Sequence, residues 1–353
     1  MTDAHDNVRT RAAIIGCTGY TGYDLVNLLL RHPRAELTYL ASHRDQLPDL
    51  RDEFPQLAGR LDPDVAHTRP IDFDAIAEEA DVAFLGLPHK AAMAYAPKLL
   101  DAGLRVIDLS ADYRLSSQSL YEQVYGVAHE DPDNLADAVY GIPELFRKDL
   151  PGATLVANPG CYPTAAALAV APLLSHSLVK TDRIVINAAS GVTGAGRSPK
   201  PSLHFPEVNQ GYAAYGEIGG HRHQPEIAQT LSRVAGHDVR PLFVPHLLPV
   251  DRGILETIYL DPHDPDVTEE DLIDAFVDAY ADEPFVRLRE SPPNIKHVVG
   301  TNFCDLSVRL TTQGDVKTVV VFAAEDNMIK GASGQAVQNM NAVFEMDETL
   351  GLL

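Results

Sequence analysis

The apolar tetrad Ala12-Ala13-Ile14-Ile15 runs directly into glycines spaced Gly16-x-x-Gly19-x-x-Gly22, and a helical apolar spacing follows over residues 23–31. A short, continuous apolar run bounded by glycine reads as a strand buried on both faces, which requires a sheet covered by helices. Glycines at such a junction let the backbone approach a pyrophosphate at the start of the next helix. The segment therefore predicts a strand, phosphate turn and helix, with a plain tight turn as the alternative. Further apolar runs at 36–41, 82–87, 105–109 and 154–157, with helical stretches such as 91–102 between them, continue the alternation. Alternating strands and helices fold as a doubly wound parallel sheet.

Beyond residue 161 the texture changes. After a helix expected over 163–176, strand patterns recur at 183–189, 241–244, 253–260, 285–289, 302–310 and 316–323, with few helices between them. The last two are joined across Thr312-Gln313-Gly314-Asp315, and the charged stretch 261–274 reads as a loop leading into an amphipathic helix over 269–280. This predicts a second, α+β domain on a mixed or antiparallel sheet. A chain of 353 residues is long for one core. The expected division is a dinucleotide-binding domain over 1–160, completed by a C-terminal helix within 328–353, and a catalytic and dimerisation domain over 161–327.

Composition excludes some functions. A formal charge of −22 repels a phosphate backbone, so nucleic acid is not an expected partner. Anionic small molecules must then be met by local cations or backbone N–H groups. Three cysteines, none in C-x-x-C spacing, fit a reducing compartment, which suggests the cytoplasm. The first ten residues carry no apolar signal core, and no apolar stretch is long enough for a membrane span.

One of the three thiols stands apart. Cys161 lies in Ala157-Asn158-Pro159-Gly160-Cys161-Tyr162-Pro163-Thr164, where a strand gives way to a helix. Free N–H groups and the positive dipole end at a helix start favour the ionised thiol, which is the attacking form. Cysteine is also among the most buried residue types. Cys17 and Cys304 read as that kind of inert filler.

Other segments carry weaker signals. Ser42 and Arg44, at the end of the second strand, supply a hydroxyl and a cation where a 2′-phosphate would lie, and so favour NADP over NAD. The glycine-rich run 190–197 follows a strand and can bring N–H groups to an anion or a flat ring, or serve as a plain turn. His221-Arg222-His223 precedes Gln224-Pro225-Glu226-Ile227. Alternation on an extended segment would place both histidines on one face, as zinc ligands, as an acid/base with its neighbour, or as polar loop residues. The zinc reading lacks a third and fourth ligand with supporting spacing, so no metal is expected.

Taken together, Gly16-Cys17-Thr18-Gly19-Tyr20-Thr21-Gly22, Leu87-Pro88-His89, the run 108–115, Tyr140 to Leu145, Asn158 to Thr164, Ser190 to Arg197, His221 to Ile227, Arg252-Gly253-Ile254 and Asp326 to Gly331 identify a resemblance. The chain resembles the N-acetyl-gamma-glutamyl-phosphate reductases of the aspartate-semialdehyde dehydrogenase-like group over essentially its whole length. The resemblance implies an NADP(H)-dependent acyl-phosphate reductase of arginine biosynthesis, forming a homo-oligomer (dimer or tetramer), with Cys161 as nucleophile and His221 as acid/base. Cofactor contacts are then expected from Gly16, Thr18, Gly19, Tyr20, Thr21, Gly22, Ser42, Arg44, Pro88, Ser190, Gly191, Gly194 and Asn327. Substrate contacts are expected from Arg114, Asn158 and Arg252. Val250-Asp251 precedes Arg252 where the family often has a neutral residue, which leaves the role of Arg252 open. Rival readings are a reductase of aminoadipyl or aspartyl phosphate, a non-catalytic NADPH-binding regulator, and a metallohydrolase built on the two histidines.

Overall fold

The computed structural model describes residues 9–42, 47–216 and 218–353. Its contacts divide the chain into two compact units, Met1–Pro159 with Ala332–Leu353, and Gly160–Gly331.

The first unit is built on β1 (Thr10–Ile15), β2 (Ala35–Ala41), β3 (Val82–Leu85), β4 (Arg105–Asp108), β5 (Val139–Tyr140) and β6 (Leu155–Ala157). The strands lie in the order β2-β1-β3-β4-β6-β5, and every pairing is parallel. Ala12 to Ile15 are fully buried, as a central strand covered on both faces must be. The strand order reverses at β1, which has β2 on one side and β3 on the other. In open α/β sheets such a switch point, at the carboxyl ends of the strands, is where ligands bind.

The helix after β1 spans Tyr20–Leu29, starting three residues earlier than the apolar spacing indicated, because Gly19 already serves as its N-cap. At the C-terminus a π-turn, Ile329–Ser333, precedes the helix Gly334–Val343, which is buried along its whole length. Its polar side chains act as brackets. The Asn339 amide donates to the Gly141 carbonyl and to Asn158 Oδ1, and the Asn341 amide donates to the carbonyls of Glu348 and Leu350. Ser333 Oγ donates to the Thr21 carbonyl, which ties this helix to the one that follows the glycine turn.

The second unit carries β7 (Val179–Ser190), β8 (Ala213–Ala214), β9 (Leu242–Leu247), β10 (Ile254–Pro262), β11 (Val286–Leu288), β12 (Cys304–Gln313) and β13 (Val316–Glu325), in the order β11-β12-β13-β10-β7-β9-β8. Pairings through the centre are antiparallel, whereas β7 with β9 and β11 with β12 are parallel, so the sheet is mixed. Along β10, Ile254, Glu256, Ile258 and Leu260 are buried while Tyr259 is 39% exposed. One face is thus covered and the other left open.

The covering element is the helix Cys161–Ser175, buried from Tyr162 to Leu174. A helix apolar on all sides cannot lie at a surface. Here it packs between the sheet and two further helices, Glu269–Tyr280 and His223–Ala235. The last of these corrects the sequence reading. The chain around His221-Arg222-His223 is not extended, because Arg222 already has helical dihedrals and His223 is the first residue of the helix.

Candidate active site

In the first unit the glycine turn has three glycines with three different constraints. Gly16 has φ +93°, and a Cβ there would stand 2.3 Å from the Gly86 carbonyl oxygen, where β1 and β3 end side by side. Gly22 is pressed against the turn itself, so a Cβ would lie 2.6 Å from Cys17 Cα. Gly19 differs from both, since the nearest atom to a Cβ would be 3.7 Å away. Two glycines therefore close the turn tightly and the third leaves room in front of an N-cap that makes no side-chain capping bond. That combination suits a pyrophosphate, which needs close backbone approach and helix N–H groups.

Thr18 and Gly22 are buried in this turn, while Gly19, Tyr20 and Thr21 are partly accessible. Ser42 follows β2 and is 3% exposed, Pro88 is exposed after β3, and Arg44 lies outside the described residues. Cys17 is the filler expected of it, fully buried with its thiol donating to the Ala41 carbonyl at 3.4 Å.

The run 108–115 turns out to be a loop clamp. Asp112 accepts from the backbone N–H groups of Lys90 and Met93 and from the Tyr121 hydroxyl, which pins the segment after β3. Asp108 accepts from the Ser110 N–H and hydroxyl, and burial pushes its carboxyl up to about 7, with the neighbouring Asp112 charge adding to the effect. Arg114 is 7% exposed, and its Nε and Nη2 donate to the carbonyls of Asn158 and Leu109. Asn158 is fully buried, accepting from Asn339 and donating to the Ala332 carbonyl. Motif membership cannot distinguish a side chain that meets a ligand from one that holds the loop, and these polar groups are largely engaged within the fold.

In the second unit Cys161 is the first residue of its helix, partly accessible, with Gly160 as N-cap. The first-turn N–H groups are those of Cys161 and Tyr162, since Pro163 has none and Thr164 N–H bonds the Gly160 carbonyl. The Gly160 N–H donates to Glu226 Oε1 at 2.8 Å, and Glu226 is 1% exposed. Sequence reasoning assigned Glu226 no role. Its partner is 66 residues away in sequence. Only its place in the first turn of a helix, three residues after His223, hinted at an inward carboxylate.

His221 lies in an aromatic nest, with ring centroids 6.0 Å from Tyr162, 5.7 Å from Tyr215, 5.3 Å from Phe243 and 5.0 Å from His223. Burial, reinforced by the Arg222 charge, lowers its pKa to about 4. The His223 backbone N–H donates to His221 Nδ1 at 3.1 Å, which assigns the proton of the neutral ring to Nε2. Thus His221 is a neutral imidazole with Nε2–H as its donor. Tyr162 donates to the His246 carbonyl and meets the Tyr215 hydroxyl at 3.2 Å; burial pushes the Tyr162 hydroxyl up, so it remains a donor. Among the described residues no group of three or more His, Cys, Asp or Glu side chains is arranged to hold a metal ion.

The loop after β7 is stapled to the segment after β13. Asn327 Oδ1 accepts from the Gly253 N–H at 2.8 Å, and its amide donates to Thr193 Oγ1 at 3.0 Å. Gly191 packs on the 251–252 peptide, where a Cβ would stand 2.7 Å from the Asp251 carbonyl oxygen. A Cβ on Gly194 would lie 3.4 Å from Ser190 Oγ and 3.5 Å from Asn327 Nδ2, so those three predicted residues do converge. Arg252 is paired with buried Asp326 at 3.7 Å.

Comparison with known proteins agrees with both units. A family profile described as semialdehyde dehydrogenase, NAD binding domain, matches residues 11–153, and one described as semialdehyde dehydrogenase, dimerisation domain, matches residues 161–327. The chain is 46% identical to an N-acetyl-gamma-glutamyl-phosphate reductase of Rhodopirellula baltica, over 97% of this chain and 98% of that one. It is 47% identical to the reductase of that name from Symbiobacterium thermophilum, over 97% of each chain. Among solved structures, aspartate semialdehyde dehydrogenase II from Vibrio cholerae shares the fold at a TM-score of 0.71 and 15% identity, covering 95% of this chain and 98% of that one. The enzyme from Candida albicans shares it at 0.68 and 14%, covering 95% and 98%. The profiles and the two reductases together establish that this chain belongs to the N-acetyl-gamma-glutamyl-phosphate reductase family.

Proposed function

We propose that the chain reduces N-acetyl-L-glutamyl 5-phosphate to N-acetyl-L-glutamate 5-semialdehyde with release of phosphate, using NADPH, as a step of arginine biosynthesis. The observation that carries this reading is Cys161 at the first position of a helix, its N-cap peptide held by Glu226. The Cys161 thiolate adds to the acyl-phosphate carbonyl, and the oxyanion is met by the N–H groups of Cys161 and Tyr162. The carbon–oxygen bond to phosphate then breaks and Cys161 keeps the acyl group as a thioester. When bound, with its pyrophosphate at the Gly16–Gly22 turn, NADPH supplies the hydride. Collapse of the resulting thiohemiacetal frees the aldehyde and returns the thiolate. His221 donates its Nε2–H to the alkoxide while it exists, and takes that hydrogen bond back as the carbonyl re-forms.

Arg252 is proposed to face the substrate's anionic groups. The open face of the second sheet, which bears Tyr259 and at its rim Leu242 and Val316, exposed by 39%, 42% and 61%, supports assembly as a dimer or tetramer. No helix among the described residues is long and apolar enough to cross a membrane, and with Cys17, Cys161 and Cys304 in no disulfide the cytoplasm is the proposed compartment.

The test is the reverse reaction: N-acetylglutamate semialdehyde, phosphate and NADP, run beside the aminoadipate and aspartate semialdehydes. Phosphate-dependent NADPH formation is expected with the first substrate, and a preference for either of the others overturns the assignment. For His221→Ala, kcat is expected to fall about 100-fold with a smaller change in KM, as for a group used in the transition state. An unchanged kcat would move the role to His223. Because His221 is protonated only below about 4, it is expected to add no ionisation of its own in the ordinary histidine range, where kcat should fall only in step with protonation of the Cys161 thiol. A fall of kcat in that range that does not track the pH at which Cys161 loses its reactivity toward iodoacetamide would contradict the neutral-donor role.

A further inference from the structure

Two glutamates lie on the covered face of the second sheet, and the chemistry above uses neither. Glu256 on β10 stands directly opposite Ala323 of β13. Glu325 is two residues further along β13, so both side chains leave the sheet on the same face. Both residues are fully buried. Among the described residues neither Glu256 carboxyl oxygen has a hydrogen-bond partner, and burial together with the Glu325 charge pushes Glu256 well above the usual carboxylate range. Two charges buried side by side on one covered face oppose one another, so one member of the pair keeps a proton, and the raised carboxyl is that of Glu256.

The pair lies next to the nucleophile. A Cβ placed on Gly331 would stand 2.6 Å from Cys161 Cβ and 2.8 Å from Glu325 Oε1, so the base of the thiol side chain and the Glu325 carboxyl flank one point. Beside Glu256, β7 presents Ala188, and opposite Glu325, β12 presents Cys304, which is fully buried. The segment after β13 brings Asp326, which accepts from the N–H groups of Gly300 and Met328, and the fully buried Lys330. Around the thiol stand Glu226, on the Gly160 N–H, and the hydroxyls of Tyr162 and Tyr215, both raised in part by the Cys161 charge.

We propose that Glu256 and Glu325 together hold one proton, which rests on Glu256, and that the charge left on Glu325 sets the pH at which the Cys161 thiol becomes a nucleophile. Like charges oppose one another, so an ionised Glu325 holds the thiol protonated to higher pH, and a second proton on the pair releases it. Glu325 is thereby a positioning residue that acts through Cys161, and Glu256 fixes where the charge resides. The inference builds on Cys161 as the nucleophile of the proposed function. Its test needs no substrate, so a failure of the acyl-phosphate assignment would leave it standing.

The experiment is the rate of iodoacetamide alkylation of Cys161, located by peptide mass spectrometry, from about pH 5 to about pH 10 in the full chain, in Glu325→Gln and in Glu256→Gln. Glu325→Gln is expected to move the midpoint down by about 1 to 2 pH units, with alkylation about 10-fold faster or more below the wild-type midpoint. Glu256→Gln, which imitates the protonated acid, is expected to keep the wild-type midpoint. An unshifted Glu325→Gln, or a Glu256→Gln that shifts as far, overturns the proposal. If Glu325→Gln does not fold, infrared spectroscopy decides. The unaltered chain is expected to show a protonated-carboxyl stretch from about pH 8 to 9, above the range in which Asp108 holds its proton, that disappears in Glu256→Gln, and persistence of the full band in that variant overturns the proton on the pair.

Discussion

Cys161→Ser is expected to lower phosphate-dependent NADP reduction by about 1,000-fold or more, while NADPH binding and thermal stability stay within error of the unaltered chain. A serine hydroxyl is not ionised near neutral pH, and an alkoxide is a far poorer leaving group than a thiolate, so both formation and collapse of the covalent adduct are slowed. A loss of this size corresponds to at least about 4 kcal/mol in the barrier. The fold gives no reason for a structural effect. Residue 161 is partly accessible at the first turn of a helix whose burial begins at Tyr162, and serine differs from cysteine by one atom. Retention of more than a few per cent of activity would remove Cys161 as the nucleophile. Unfolding of the variant would show that the thiol has a packing role the structure does not reveal.

How far the sequence foretold this arrangement depends on whether the constraint is local. The strand, glycine turn and helix at 10–29 were legible because a φ of +93° and a Cβ site 2.3 Å from Gly86 admit only glycine at position 16. The mixed sheet was legible from strand patterns long enough to show periodicity, whereas Val139–Tyr140 and Ala213–Ala214 are two-residue strands that carry none. The helix His223–Ala235 was missed although its signals are present: Pro225 and Glu226 in the first turn, Ile227 and Leu231 one turn apart, and Gly236 in the left-handed C-cap. Two histidines two residues apart also suit an extended segment, and that short-range pattern masks the helical one.

Side-chain partners were not legible at all. Nothing local announces that Glu226 reaches Gly160, that Asn327 bridges Gly253 and Thr193, or that Arg114 and Asn158 spend polar groups on backbone and on Asn339. A motif records which residues occur together, and long-range packing decides whether each one meets a ligand or supports the loop that does. The family resemblance pointed to the right segments, but the roles within each segment follow from burial and hydrogen bonding.

The glycine turn allows those two functions to be separated by a pair of substitutions with opposite signatures. Gly22→Ala places a methyl 2.6 to 2.7 Å from the Cα, C and O atoms of Cys17. These are backbone atoms of the turn itself, so the helix Tyr20–Leu29 must move away from β1 as a body. Overpacking of this kind costs about 1–3 kcal/mol or more, and the expected result is a lower denaturation midpoint together with weakened NADPH binding. Gly19→Ala introduces the same methyl where the nearest atom is 3.7 Å away, and the backbone there, φ −83° and ψ 171°, is one that alanine adopts freely. Stability should therefore be unchanged or slightly raised. The methyl occupies the approach to the helix N-terminus, however, and NADPH affinity is expected to fall about 10-fold or more, since a pyrophosphate in hydrogen-bond reach of those N–H groups leaves no space for it. Chemical denaturation and fluorescence titration of NADPH, run on both variants, read the two effects independently. If Gly19→Ala binds NADPH as tightly as the unaltered chain, the pyrophosphate does not lie at this turn, whatever happens to Gly22→Ala.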